Sequence, residues 1–127
     1  MPAPSSFDYA VVRVVPNVER EEFINVGVIL FCRTGCSLIA RIELDPQRLI
    51  ALAPDFDVSA IQVQLELIPR ICAGGPETGL FDQMSQSERF HWLVSPRSTV
   101  IQVSSVHCGL CTDPETALND LFEKFVR

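Results

Sequence analysis

"INVGVILFCR", residues 24–33, is apolar at nearly every position, and its reading decides the fold. A strand with one wet face alternates apolar and polar residues. A run this uniform reads instead as a central strand covered on both faces. Thr34-Gly35 supplies a turn and "SLIARIEL" (37–44) follows as another β-rich run, so residues 24–44 predict a hairpin. Gly27 interrupts the central strand, where a glycine marks a bulge or the close approach of another backbone.

Toward the N-terminus, "FDYAVVRVVP" (7–16) is a further strand, with Tyr9, Val11, Arg13 and Val15 on one face and Ala10, Val12 and Val14 on the other. Pro16-Asn17 ends it, and "NVEREEF" is a loop or a single helical turn. Toward the C-terminus the apolar period changes. Asp45-Pro46 is a helix start, because an acidic cap precedes a proline whose missing N–H would have had no intrahelical partner. That helix stops near Pro54. Val58, Ile61, Leu65, Ile68 and Cys72 form the stripe of a longer one, which Pro69 is expected to kink or end. "AGGPETG" (73–79) is a loop, "SERFHWLV" (87–94) a short helix and "RSTVIQVSS" (97–105) another strand.

"VHCGLCTDPE" (106–115) then reads as a strand exit, a turn at Gly109 and a helix start at Asp113-Pro114, with Thr112-x-x-Glu115 as a competing capping box. The last helix carries Ala117, Leu118, Leu121, Phe122, Phe125 and Val126 on its buried side. The sum is one α+β domain over residues 1–127, a mostly antiparallel sheet of about four strands with helices packed largely on one face. The second apolar face of residues 24–32 needs helices or a second subunit over it.

Composition narrows the partners. The net charge of −6 argues against nucleic acid or an anionic membrane surface. Apolar residues make up 47% of the chain, which favours a partner surface, either self-association or a cytoplasmic protein. Nine of the ten basic residues are Arg, the side chain suited to bidentate contact with carboxylate or phosphate. "MPAPSSFDYA" has neither the basic start nor the apolar core of a signal peptide, and Val26–Cys32 is too short to span a bilayer. A cytoplasmic location with reduced thiols is the expectation.

The five cysteines form no disulfide framework on this reading, being odd in number. Cys32-x-x-x-Cys36 and Cys108-x-x-Cys111 could supply four thiolates to a zinc ion. The spacing is not that of matched knuckles, however, and cysteine often serves as a small buried hydrophobe. Packing and turn roles, with no metal and no cofactor, are preferred. A redox dithiol is rejected, because the helix starts after both cysteines and acidic residues surround them.

The candidate ligand-binding residues are Arg13, Glu22, Asn25, Arg97, Ser98 and His107, with no catalytic residue assigned. Arg13 sits mid-strand, where a charge needs a partner, and Glu22 or Glu21 is the candidate. Asn25 can bind a backbone turn or orient a ligand. Arg97, Ser98 and Thr99 begin a strand where an anion could be held, and His107 ends it. No phosphate loop, nucleophile elbow or His-x-x-x-His pair occurs.

"YAVVRVVPNVEREEFINVGVILF" (9–31) and "RFHWLVSPRSTVIQVSSVHCGLCTDPETALNDLFEKFV" (89–126) resemble the two signature blocks of a family of small bacterial proteins, catalogued as a domain of unknown function numbered three-zero-three-seven. The resemblance implies a shared fold and surface and no activity. The family pattern it implies keeps the histidine and glycine of residues 107–112 but not cysteines at 108 and 111, so a zinc site would be peculiar to this chain. Two functions from different classes follow. One is a non-enzymatic protein-interaction module. The other is a small-anion or nucleotide-binding or processing protein, with arginines holding the anion and His107 as acid or base.

Overall fold

The central hairpin forms as its sequence requires. In a computed structural model describing residues 3–96 and 99–127, β2 (Ile24–Cys32) pairs antiparallel with β3 (Ser37–Ile42). Between them the Cys36 amide bonds the Arg33 carbonyl at 3.1 Å, and Cys36 takes the left-handed conformation (φ 50°). β1 (Ser5–Val14) pairs with the other side of β2. Gly27 meets both expectations for a strand glycine. Val12 lies opposite Gly27 and Arg13 opposite Asn25, so Val26 is an extra, bulged residue. A Cβ on Gly27 would also stand 2.6 Å from the Arg41 carbonyl oxygen on β3.

That bulge reverses the side-chain parity of β2. Val26, Ile29 and Phe31 face one layer while Val28, Leu30 and Cys32 face the other. The first layer comprises α1 (Pro46–Leu52), α2 (Val58–Ala73) and α3 (Gln86–Leu93), contributing Leu49, Ile61, Leu65, Ile68, Phe90 and Leu93. The second is α4 (Pro114–Phe125), which lays Leu118 and Phe122 over Val28 and Leu30. The chain therefore covers both faces of β2 itself, and that strand leaves no second apolar face for another subunit.

The helix starts follow the caps. Asp45 and Asp57 accept backbone N–H groups at 3.0 and 3.1 Å, and Ser85 with Glu88 forms a reciprocal capping box. Asp113 stands at the start of α4 as expected, yet its carboxylate makes no hydrogen bond of good geometry to the first-turn backbone. It accepts the Thr116 hydroxyl at 2.6 Å instead, and that bond, with help from nearby Glu115 and Thr116 amides, lowers its pKa.

Two expectations are corrected. Of the kink or end expected at Pro69, the end does not occur, because α2 runs on to Ala73. Its last turn is held from outside, because Arg89 Nη1 donates to the carbonyls of Ile71 and Cys72 at 2.9 and 2.8 Å. The turn expected at Gly109 is a strand. β4 (Ile101–Val103) and β5 (His107–Cys111) lie one after the other along the same side of β1, giving the order β3-β2-β1 with β4 and β5 beyond. Between them Ser104 mends the ladder. Its amide donates to the Val11 carbonyl at 2.8 Å, and its buried hydroxyl accepts the Val11 N–H at 2.9 Å.

Candidate functional site

Arg13, Asn25 and His107 project from one face of the sheet. Arg13 stands opposite Asn25 on β2 and Gln102 on β4, and His107 stands opposite Tyr9. The period of two along β1 puts Tyr9 and Arg13 on the same side. That side is the one α4 occupies. The Tyr9 ring lies 5.5 Å from His107 and 6.1 Å from Phe125 between centroids, and Asn25 Nδ2 donates to the Phe125 carbonyl at 3.1 Å. Arg13 and Tyr9 are separated by about 13 Å along β1, at ~3.3 Å per residue. The three residues thus mark a strip beside α4.

At one end of the strip the Arg13 guanidinium lies 4.3 Å from the centre of the Phe23 ring, itself 44% exposed. Arg13 Nε is buried without a hydrogen-bond partner among the described residues, and so is Asn25 Oδ1. Among the described residues no carboxylate forms an ion pair with Arg13. Glu22, its expected partner, pairs with Arg20 on the surface. The reason is local: a 3-10 turn at Val18–Arg20, closed by Glu21 in the left-handed conformation (φ 58°), brings Arg20 beside Glu22. Arg97 and Ser98 lie outside the described residues.

Asn25 also belongs to a polar clamp on the end of α4. Arg48 Nη1 donates to the Val126 carbonyl at 2.7 Å, and Arg127 bonds Glu43 at 2.8 Å and Glu123 at 3.2 Å. Donors from β2 and α1 thereby serve carbonyls that the helix end leaves open. The Glu43 carboxylate raises the Arg127 pKa. Arg48 carried no sequence signal for this role.

The zinc alternative does not fit the placement of the thiols. Cys36 is exposed at the hairpin tip, and strand parity puts Cys108 on the opposite face of β5 from Cys111. Among the described residues no group of three or more His, Cys, Asp or Glu side chains could hold a metal ion. Cys111 shares a core cluster with Cys32, and burial, then the neighbouring Cys32, raises its pKa. Burial pushes Cys72 up to about 12, with Arg89 opposing.

Two features were not anticipated. The first is an apolar groove of about 220 Å³ between α2, α3 and β4, floored by Ile68, Ile71 and Leu93. The second is the outer edge of β5, where Val106 is 44% and Leu110 73% exposed. The second was legible, because Val106, Cys108 and Leu110 alternate with His107 and Gly109.

Among the described residues, an antiparallel sheet with α1, α2 and α3 on one face, α4 on the other and no strand paired beyond β4 and β5 defines a small α+β domain. Residues 9–126 match the family described as a protein of unknown function (DUF3037), and the chain belongs to that family. The match includes the middle of the chain, which the two signature blocks leave out. No curated protein and no solved structure matches the chain. Among the described residues no helix is long and apolar enough to cross a membrane.

Proposed function

We propose that this domain is a non-enzymatic protein-interaction module that binds through the open edge formed by β4 and β5. The observation that carries the reading is the make-up of that edge. Proteins guard an exposed edge with charge, proline or a covering element. Residues 100–112, "VIQVSSVHCGLCT", contain no Lys, Arg, Asp, Glu or Pro. The edge at β3 differs, since Arg41 there lies 4.0 Å from the Phe122 ring and bonds Asn119.

A photo-crosslinking amino acid at position 110, introduced in the native cell, tests the reading. A discrete protein adduct from position 110, absent when the same group replaces Leu80 (81% exposed), is expected. No adduct at 110, or the same adducts at both positions, overturns it.

The small-anion reading keeps one specific support, the Arg13 guanidinium, which forms no ion pair with a carboxylate among the described residues. Titration with inorganic phosphate, followed on the Arg13 Nε–H resonance, tests it. A saturable shift lost in Arg13→Gln is expected, and an unmoved resonance removes the reading.

A further inference from the structure

The edge of β5 turns backbone groups outward that a further strand can pair with. The Ser104 amide bonds the Val11 carbonyl and the Val15 amide bonds the Val100 carbonyl, so the odd-numbered residues of β1 turn their backbone groups toward β4 and β5. Ser5, Phe7 and Tyr9 therefore meet Cys111, Gly109 and His107. In an antiparallel ladder the intervening residues point their N–H and C=O the other way. Those are Cys108 and Leu110, one on each side of Gly109, facing outward.

We propose that a second copy of this chain occupies the edge, with two β5 strands pairing antiparallel about a two-fold axis at Gly109. The inference rests on the interaction-module reading and names its partner. In this register Cys108 lies opposite Leu110 of the other copy, and the reverse, so four N–H···O=C bonds form and the contact is self-complementary. Charge points the same way. Each chain carries −6, and two copies meet with least repulsion where acidic residues are missing, as they are from 100 to 112. The side chains brought together are the exposed Leu110 and Cys108, which are apolar and thiol. Gly109 adds no side chain at the axis.

The register gives a specific test. Directly opposed residues of a hydrogen-bonded pair have Cα atoms about 5.5 Å apart, within disulfide reach. Leu110→Cys in a Cys36→Ser background, oxidised mildly, is expected to give a covalent dimer whose crosslink maps to Cys108 and the introduced position 110. Val106→Cys, which lies opposite Thr112 in this register, is expected to give no more dimer than the background. Wild-type protein should sediment as a dimer at tens of micromolar, and Leu110→Lys as a monomer whose melting transition matches that of dilute wild type. Monomer throughout overturns the proposal, as does a dimer crosslinked equally well through position 106. If photo-crosslinking from position 110 captures a different protein while the wild type stays monomeric, the module reading stands and the two-fold pairing fails.

Discussion

The ring of Phe7 lies against Gly109 so closely that a Cβ there would stand 2.7 Å from the Phe7 Cζ atom. Gly109 is therefore a strand residue whose missing side chain makes room for a buried aromatic. Gly109→Ala should overpack this contact and destabilise the fold by about 1–3 kcal/mol, read as a lowered midpoint in urea. A turn glycine at that position would respond through its backbone and leave Phe7 packing unchanged, so an unaltered Phe7 ring environment by NMR would count against the strand.

Phe122 has no exposed surface and joins Leu118 in closing the second face of β2. Phe122→Ala should cost about 3–5 kcal/mol, as large-to-small changes in a core do. Leu121 is only partly buried at the margin of that cluster, so Leu121→Ala should cost distinctly less. Equal losses in thermal unfolding would show that α4 is rotated from its placement here.

Arg89 is expected to matter for stability although it is charged. The residue is nine-tenths buried, and its guanidinium serves two carbonyls at the end of α2. Arg89→Met keeps the stem and leaves those carbonyls without their charged donor, at a cost of about 1.5–3 kcal/mol. Hydrogen exchange in the last turn of α2 should accelerate before the rest of the helix changes. No change there would contradict the pinning role.

The capping box of α3 has a pH signature. Bonding to the Ser85 amide, then to the Ser85 hydroxyl, lowers the Glu88 pKa from its ordinary 4.5. A carboxylate depressed in the folded state contributes fully above the unfolded value and loses that contribution as pH falls through the lower, folded one. Amides at the start of α3 should lose protection below pH 4.5 in the wild type, and Glu88→Ala should remove that dependence.

The thiols should divide by position. Cys36 and Cys108 are exposed and should react with a maleimide in the native protein, whereas Cys32 and Cys72, both buried, should react only on unfolding. Cys32 and Cys111 should not form a disulfide. β1 runs between their strands, and two interstrand spacings of about 4.8 Å exceed the ~7 Å limit between Cα atoms. Purified protein should contain no stoichiometric zinc, and a chelator should leave its melting transition in place.

The parts of this fold that were legible in the sequence are those in which one local rule acts alone. β2 is apolar on both faces because helices cover both, and Asp45-Pro46 and Asp113-Pro114 open helices. The misreadings arose where a partner distant in sequence decides. Gly109 carries the mark of a turn, and only Phe7, about a hundred residues earlier, makes it a strand residue. Pro69 carries the mark of a helix end, and Arg89 holds the turn beyond it. Among the site residues, the shared face of Arg13, Asn25 and His107 follows from strand pairing, which no local pattern states. The pairing of Glu22 was lost to Arg20, two residues away, through a turn of the chain.

The open edge is tested most directly by amide exchange at single-residue resolution across His107–Cys111. In dilute protein the amides of His107, Gly109 and Cys111, bonded to β1, should be protected, while those of Cys108 and Leu110 exchange freely. Raising the protein concentration should slow Cys108 and Leu110 alone. Fast exchange at these two amides at every concentration would contradict the pairing, and protection of all five in dilute protein would show that the edge is not open.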